Sequence, residues 1–304
     1  MTEVGEAVKG FYINKTYKKN SKTQNINTMI SLIVCSYDGY SDCWDPYFTL
    51  LKKHFPESEK FEIILSTTNQ KKYEFPGLNI KTLAHGDVPW GQRLKQSLKE
   101  ASHDIVMPMS EDYFLKSRVN FKMFSYFVDL MYKNEQIDHI RLLRYRVLWK
   151  SKKSDFEYLE EIAPITKHRF LLIPALWRKQ TMDKYLKNYE DAFMSEKISG
   201  FRSWIRKDRF YSISEEYVEK FGHVYHTWNS GFVFKGKWVP WGLDYLKEEN
   251  INIDFSKRGI LEQDKMKNTR VQSKLNILKN PVSSTKSFSS VFFLLIKSLF
   301  VKLK

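Results

Sequence analysis

The chain has 304 residues, 42% hydrophobic and 15% aromatic, which is enough to bury a large core and too rich in Trp, Tyr and Phe for a broadly disordered protein. Its formal net charge of +15 points to an anionic partner, whether nucleic acid, acidic lipid or a phosphorylated substrate, and charge alone does not choose among them. Cys35 and Cys43 are the two cysteines, with no CxxC or Cys/His ligand grouping, so two reduced thiols are expected.

The opening MTEVGEAVKG has no apolar run of the kind a secretory signal carries, which predicts synthesis on the cytoplasmic side. Residues 1–28 read as a polar, mobile leader. The fold is expected to begin at Met29. The run ISLIVCSYDGY is a buried strand (Ile30, Leu32, Ile33, Val34) leading into a loop with Ser36, Asp38 and Gly39 that can face a ligand. A helix follows from about Asp45, with Pro46 in its first turn and Tyr47, Leu50, Leu51 and Phe55 on one face. KFEIILST (60–67) and LNIKTL (78–83) read as strands, the second after a Pro76-Gly77 turn. Strands alternating with helices predict a mixed, mainly parallel sheet flanked by helices.

The stretch Pro89–Leu115 is the centre of the reading. An amphipathic helix (Leu94, Leu98, Ala101) leads into a short apolar strand (Ile105, Val106, Met107, Met109) and then into two adjacent carboxylates, Glu111 and Asp112. Acids at the carboxyl end of a buried strand stand where ligands bind in α/β sheets. An Asp there can hold a divalent cation through hard oxygen ligands, and the cation can hold a diphosphate. The same pair can equally well cap a following turn.

Further on, Phe121–Lys133 reads as a helix and His139–Leu148 as a strand made basic by Arg141, Arg144 and Arg146, which are expected to face solvent or pair with acids. Phe170–Ala175 reads as a strand, with a helix after Leu176-Trp177-Arg178 through Leu186. Residues 188–204 group Glu190, Asp191 and Glu196 among aromatics. Residues 223–241 read as two short strands around Asn229-Ser230-Gly231, in which His223 and His226 would point to opposite faces and not share a metal. Trp177, Trp204, Trp228 and Trp241 could stack on a flat or ring-shaped ligand or simply pack the core.

From Lys265 to Lys304 there are nine Lys or Arg and no Asp or Glu. The terminal segment is a basic amphipathic helix, interrupted by Lys297 well short of the roughly 20 apolar residues a span needs. It reads as an in-plane anchor on an anionic membrane surface, or else as a helix packed on the protein itself. The expected organisation is a leader (1–28), a catalytic domain (29–260) and a basic tail (261–304). No GxxxxGK[ST], GxGxxG or GxSxG motif is present, which argues against P-loop, dinucleotide and hydrolase chemistry.

The strand ending in CSYDGY, the helix opening with Trp90 and carrying Arg93, the SEDYFL and PALW segments and the later acid-plus-aromatic stretch together resemble bacterial GT-A-type glycosyltransferases of surface-polysaccharide (capsule and O-antigen) assembly. The resemblance runs over most of residues 29–241. It implies a GT-A, Rossmann-like fold with a nucleotide-sugar donor across the ends of the first strands, near Ser36, Asp38 and Arg93. It also implies an Asp-x-Asp-type motif holding Mn2+ or Mg2+ on the diphosphate. The matching residues are Glu111 and Asp112, adjacent rather than spaced, which leaves metal dependence open. An aromatic-x-x-Glu segment matches Phe193-Met194-Ser195-Glu196, making Glu196 the first candidate for the base and Asp191 the second. The implied activity is inverting transfer, most often from a UDP-linked donor, to a lipid-linked glycan acceptor at the inner face of the plasma membrane. A nucleic-acid-binding protein, disfavoured by the absence of a recognisable motif, and a non-catalytic membrane scaffold are the alternatives.

Overall fold

The computed structural model describes residues 30–144, 151–166, 168–228, 230–262 and 281–302. The expected leader, Arg146 with the end of its strand, and residues 263–280 of the basic tail lie outside the described residues. The sheet has nine strands in the order β3-β2-β1-β4-β8-β5-β9-β7-β6. Its first half is β1 (Ser31–Cys35), β2 (Glu62–Thr67), β3 (Ile80–Ala84) and β4 (Ile105–Met109), all mutually parallel. Its second half is β5 (His139–Arg141), β6 (Ser151–Lys153), β7 (Leu159–Ile162), β8 (Ala175–Arg178) and β9 (Phe210–Ile213). Here β8 is antiparallel to β4 and β5, and β7 to β6 and β9, while β5 and β9 are parallel. The sheet is therefore mixed and mainly parallel, as the alternation of elements predicts.

Alternate residues of the central strands enter different cores, as the two-residue period requires. Leu32, Val34, Ile63, Leu65, Ile105 and Met107 pack with α1 (Trp44–His54) and α3 (Phe121–Lys133). Ile33, Ile64 and Val106 face Leu94 and Leu98 of α2 (Trp90–Glu100) and Met182 and Tyr185 of α4 (Lys179–Tyr185). Three further helices are α5 (Ala192–Ile205), α6 (Glu215–Phe221) and α7 (Pro240–Glu248). Cys35 and Cys43 are free and buried.

Several expectations need correction. The strand from His139 is three residues long, and Phe170–Pro174 forms a loop before β8 rather than a strand. One residue accounts for the loop: Arg141 is fully buried, not solvent-facing, and its guanidinium donates to the carbonyls of His168 and Arg169 at 2.5 and 2.6 Å. Buried guanidinium groups need such acceptors, so the chain bends around this one. Arg144, by contrast, pairs with Glu160 and Glu215. The late hairpin, β10 (Val233–Phe234) with β11 (Lys237–Trp238), turns at Lys235-Gly236, both with positive φ (52° and 75°), rather than at Asn229-Ser230-Gly231. Two such residues make the turn that matches strand twist. His223 and His226 lie side by side, ring centroids 4.9 Å apart, because that segment is irregular and not a strand.

The C-terminal helix, α8 (Pro281–Lys302), docks on the protein through a serine face. Ser283 donates to the Tyr189 carbonyl at 2.7 Å, and Ser287 to the Glu190 carboxylate at 2.6 Å. Its other side leaves Val282, Phe288, Phe292, Phe293 and Leu295 exposed. Among the described residues no helix is long and apolar enough to cross a membrane.

Candidate active site at the ends of β1 and β4

The chain runs from β1 out to β2 and β3, then returns to place β4 on the other side of β1. Ligands of open α/β sheets lie in the crevice that such a reversal leaves beyond the strand ends. Here it is bordered by the residues after β1 (Ser36, Tyr37, Asp38) and after β4 (Ser110, Glu111, Asp112).

The adjacent acids separate. Glu111 turns inward and is buried, interacting with the Ser36 hydroxyl and lying near the Arg93 guanidinium. Burial is the main cause that lifts its pKa above the ordinary carboxylate range. The charge of Asp112 adds to the rise, and Arg93 offsets part of it. Asp112 turns outward onto a cavity of about 330 Å³ that it lines with Tyr113, Ser230, Gly231 and Trp241, among others. Its pKa is also raised, again chiefly by burial, while the Val233 N–H and the Arg258 charge pull it back. The loop after Thr227 lies against Asp112, with Phe232 N–H donating to the Asp112 carbonyl at 2.8 Å. A Cβ on Gly231 would collide with the Asp112 carboxylate, so a larger residue there would have to push that side chain out of place.

The other predicted site residues fall into supporting positions. Ser36 is buried and accepts from Trp44 Nε1 at 2.8 Å. Arg93 is 7% exposed, and its guanidinium stands 5.8 Å from the Tyr37 ring. Asp38 accepts from the backbone N–H groups of Thr68, Asn69 and Gln70 at 3.0–3.1 Å, which makes it the cap of the loop after β2. Asp191 caps α5, accepting from Met194 N–H at 2.6 Å, and is exposed. Glu196, one turn further on, accepts from Leu172 N–H at 2.9 Å; burial raises its pKa. Neither Glu196 nor Asp191 lines the Asp112 cavity. Gly91 explains how α5 reaches this edge of the sheet. Its N–H donates to the Glu190 carbonyl at 2.8 Å, and a side chain there would meet the Lys187 carbonyl.

Of the tryptophans, Trp177 is core, Trp204 donates to the Thr166 carbonyl, and Trp228 and Trp241 stand together beside the Asp112 cavity, ring centroids 5.2 Å apart. Sequence reasoning missed the segment after Phe255. Arg258 forms a two-pronged ion pair with Asp42 and covers the Tyr40 ring at 4.4 Å, while Lys257 donates to Ser41 Oγ at 2.6 Å. The Arg258 charge also reaches Asp112 and lowers its pKa. The signal in the sequence was a Lys-Arg pair with no acid beside it.

Asp112 is the one predicted metal-ligating carboxylate that faces the cavity; Glu111 sits behind it. Among the described residues no group of three or more metal-ligating side chains occurs. A single carboxylate still suits Mg2+ or Mn2+, which commonly take one or two from the protein and complete their shell with phosphate oxygens and water.

No family model matches the sequence, and no curated protein matches it. Among solved structures, the chain is similar to Staphylococcus aureus TarS (residues 1–349) in complex with UDP, at 15% identity and TM-score 0.45, over 62% of this chain and 58% of that one. It is also similar to the mannosyltransferase PcManGT from Pyrobaculum calidifontis in complex with GDP-Man and Mn2+, at 10% identity and TM-score 0.45, over 91% and 81%. A third is the bifunctional IspDF from Campylobacter jejuni, at 15% identity and TM-score 0.37, over 62% and 50%. The chain spans 35% to 58% of the TarS chains it matches.

Proposed function

We propose that the protein transfers a glycosyl group from a nucleotide-sugar donor, UDP-linked in the first instance, with the donor's diphosphate beyond the ends of β1 and β4. One observation carries this reading. Asp112, at the strand-order reversal, turns its carboxylate onto a cavity of a size that suits a small ligand, while its partner Glu111 is held inward. A divalent cation on Asp112 would neutralise the charge that grows on the leaving diphosphate. Arg93 and Arg258 add positive field near the same carboxylates.

Inverting transfer also needs a carboxylate to take the acceptor's proton. Glu196 is our first assignment, because burial weakens its acidity and Leu172 N–H fixes it; Asp191 is the second. Glu196→Gln is expected to lower turnover by about 10²–10⁴-fold, the range for losing a general base, and Asp191→Asn far less. The reverse order would transfer the role to Asp191. The acceptor in this reading is a lipid-linked glycan of surface-polysaccharide synthesis. The exposed apolar side of α8 then rests on the anionic inner face of the membrane. Phe292→Ser with Phe293→Ser is expected to release the protein from anionic vesicles, and undiminished binding would refute that placement.

Calorimetric titration with UDP, GDP and CMP, each with and without Mn2+, tests the donor site. Metal-dependent binding of one nucleotide, lost in Asp112→Asn, is expected. Binding of none of the three would remove the donor reading.

A further inference from the structure

We infer that a second cavity, next to the one Asp112 lines, binds a pyranose ring of the glycan acceptor. The inference rests on the transferase reading for the word acceptor, but the sugar site itself stands on separate residues. This cavity measures about 480 Å³ and is lined by Trp228, Ser230, Trp241, Asp244, Tyr245 and Glu248. Ser230 and Trp241 line both cavities, so a molecule in the second lies against the wall of the first.

The aromatic walls are fixed in place. Trp228 and Trp241 are inclined at 40° to each other, and Phe232 holds Trp241 edge-on at 4.9 Å. Tyr245 packs on Trp228 at 5.2 Å and anchors itself by donating its hydroxyl to the Leu115 carbonyl at 2.5 Å. Lys116 Nζ sits 4.5 Å from the Trp228 ring centre. Two half-buried indoles clamped this way offer rigid, flat, apolar surface with little ordering entropy to lose.

Besides Ser230, the polar groups on the α7 side are two carboxylates. Asp244 and Glu248 stand one turn apart on α7, both exposed, and neither forms an ion pair among the described residues. Carboxylates accept hydrogen bonds and donate none, which suits the hydroxyls of a sugar whose C–H face lies on an indole. Arg93 and Arg258 lie near the carboxylates of the Asp112 side, where a cation on Asp112 would also sit, so the donor's diphosphate belongs there. Asp244 and Glu248 disfavour acidic sugars by like-charge repulsion. The expected occupant is a neutral or amino-substituted pyranose.

Saturation-transfer NMR on the full chain tests this with methyl glycosides of glucose, galactose, mannose, N-acetylglucosamine and N-acetylgalactosamine, and with glucuronic acid as the anionic control. At least one neutral glycoside should give signal, with at least a tenfold loss in Asp244→Asn/Glu248→Gln and a comparable loss in Trp241→Ala. Glucuronic acid should give the weakest signal. Because neither acid lines the Asp112 cavity, the double variant should bind nucleotide as the wild type does. No signal from any neutral glycoside, or signal that survives the double substitution, overturns the inference. So does loss of nucleotide binding in the double variant, which would make this cavity part of the donor site. If the wild type binds glycoside through these acids but no nucleotide, the sugar site stands and the donor reading falls.

Discussion

Two Glu-Asp pairs stand at the edge of the sheet, and the protein uses the same dipeptide in two ways. In both, the glutamate turns inward and the aspartate outward. Glu190 is fully buried against Arg202, which meets it through both terminal nitrogens at 2.5 and 2.8 Å and also reaches Ser290 of α8. Glu111 has no such ion pair among the described residues; it relies on the Ser36 hydroxyl and on the nearby charge of Arg93. The outward partners differ in the same sense. Asp191 spends one oxygen capping α5, whereas Asp112 looks onto a cavity. A buried carboxylate matched by a guanidinium becomes a clamp, here for the C-terminal helix. One left with partial compensation keeps a protonation equilibrium that a ligand or metal can move.

Breaking the clamp should have the largest effect. Arg202→Met leaves Glu190 buried without its partner, at an expected cost of about 3–5 kcal/mol in urea unfolding. Adding Glu190→Leu to it should recover much of that loss, since a buried ion pair exchanged for apolar side chains is often close to neutral. A single variant no worse than the double would mean that the pair carries no clamp. Asp112→Asn should instead spare the fold and lower transfer by about 10²–10³-fold, the scale of one lost electrostatic stabiliser. Asp191→Asn completes the contrast. Asn caps a helix about as well as Asp, so unfolding should shift by only a few tenths of a kcal/mol. A large loss of stability there would show that the two outward aspartates had been distinguished wrongly.

The sequence declared the first half of the fold and concealed the second, for physical reasons. β1, α1, β2, α2, β4 and α3 bury regular apolar patterns, and period alone finds them; β3 is marked instead by the Pro76-Gly77 turn before it. From β5 onward the strands are two to four residues long, and part of the interior is charged. Arg141 and Arg169 are buried and donate to backbone carbonyls, an arrangement that periodicity reads as surface. The docked face of α8 was hidden likewise, because Ser284 and Ser287 are buried while phenylalanines stay out. At the site, a pair of acids ending a strand was legible, but which of two neighbours faces the cavity depends on turn geometry. The Trp241–Glu248 surface was obscured by Asn229-Ser230-Gly231, where the glycine serves close approach to Asp112 and the true turn carries a lysine, Lys235, in positive φ.

The smallest effect tests the comparison most directly, because it concerns protons rather than contacts. The native state raises the pKa of Glu111 above its unfolded value of about 4.3. The folded form therefore holds the proton to higher pH than the unfolded chain does. The contribution is present in full below the unfolded pKa and is lost as pH rises through the native one. Unfolding free energies measured from about pH 4 to pH 8 for wild type and Glu111→Gln should consequently diverge, with the wild type losing ground as pH rises. Each tenfold change in the carboxyl's ionisation constant corresponds to about 1.4 kcal/mol across that window. Asp112→Asn should shallow the slope by removing the neighbouring negative charge that adds to the rise. Parallel curves for wild type and Glu111→Gln would mean that Glu111 is compensated as fully as Glu190, and the distinction between clamp and site would then rest on Asp112 alone.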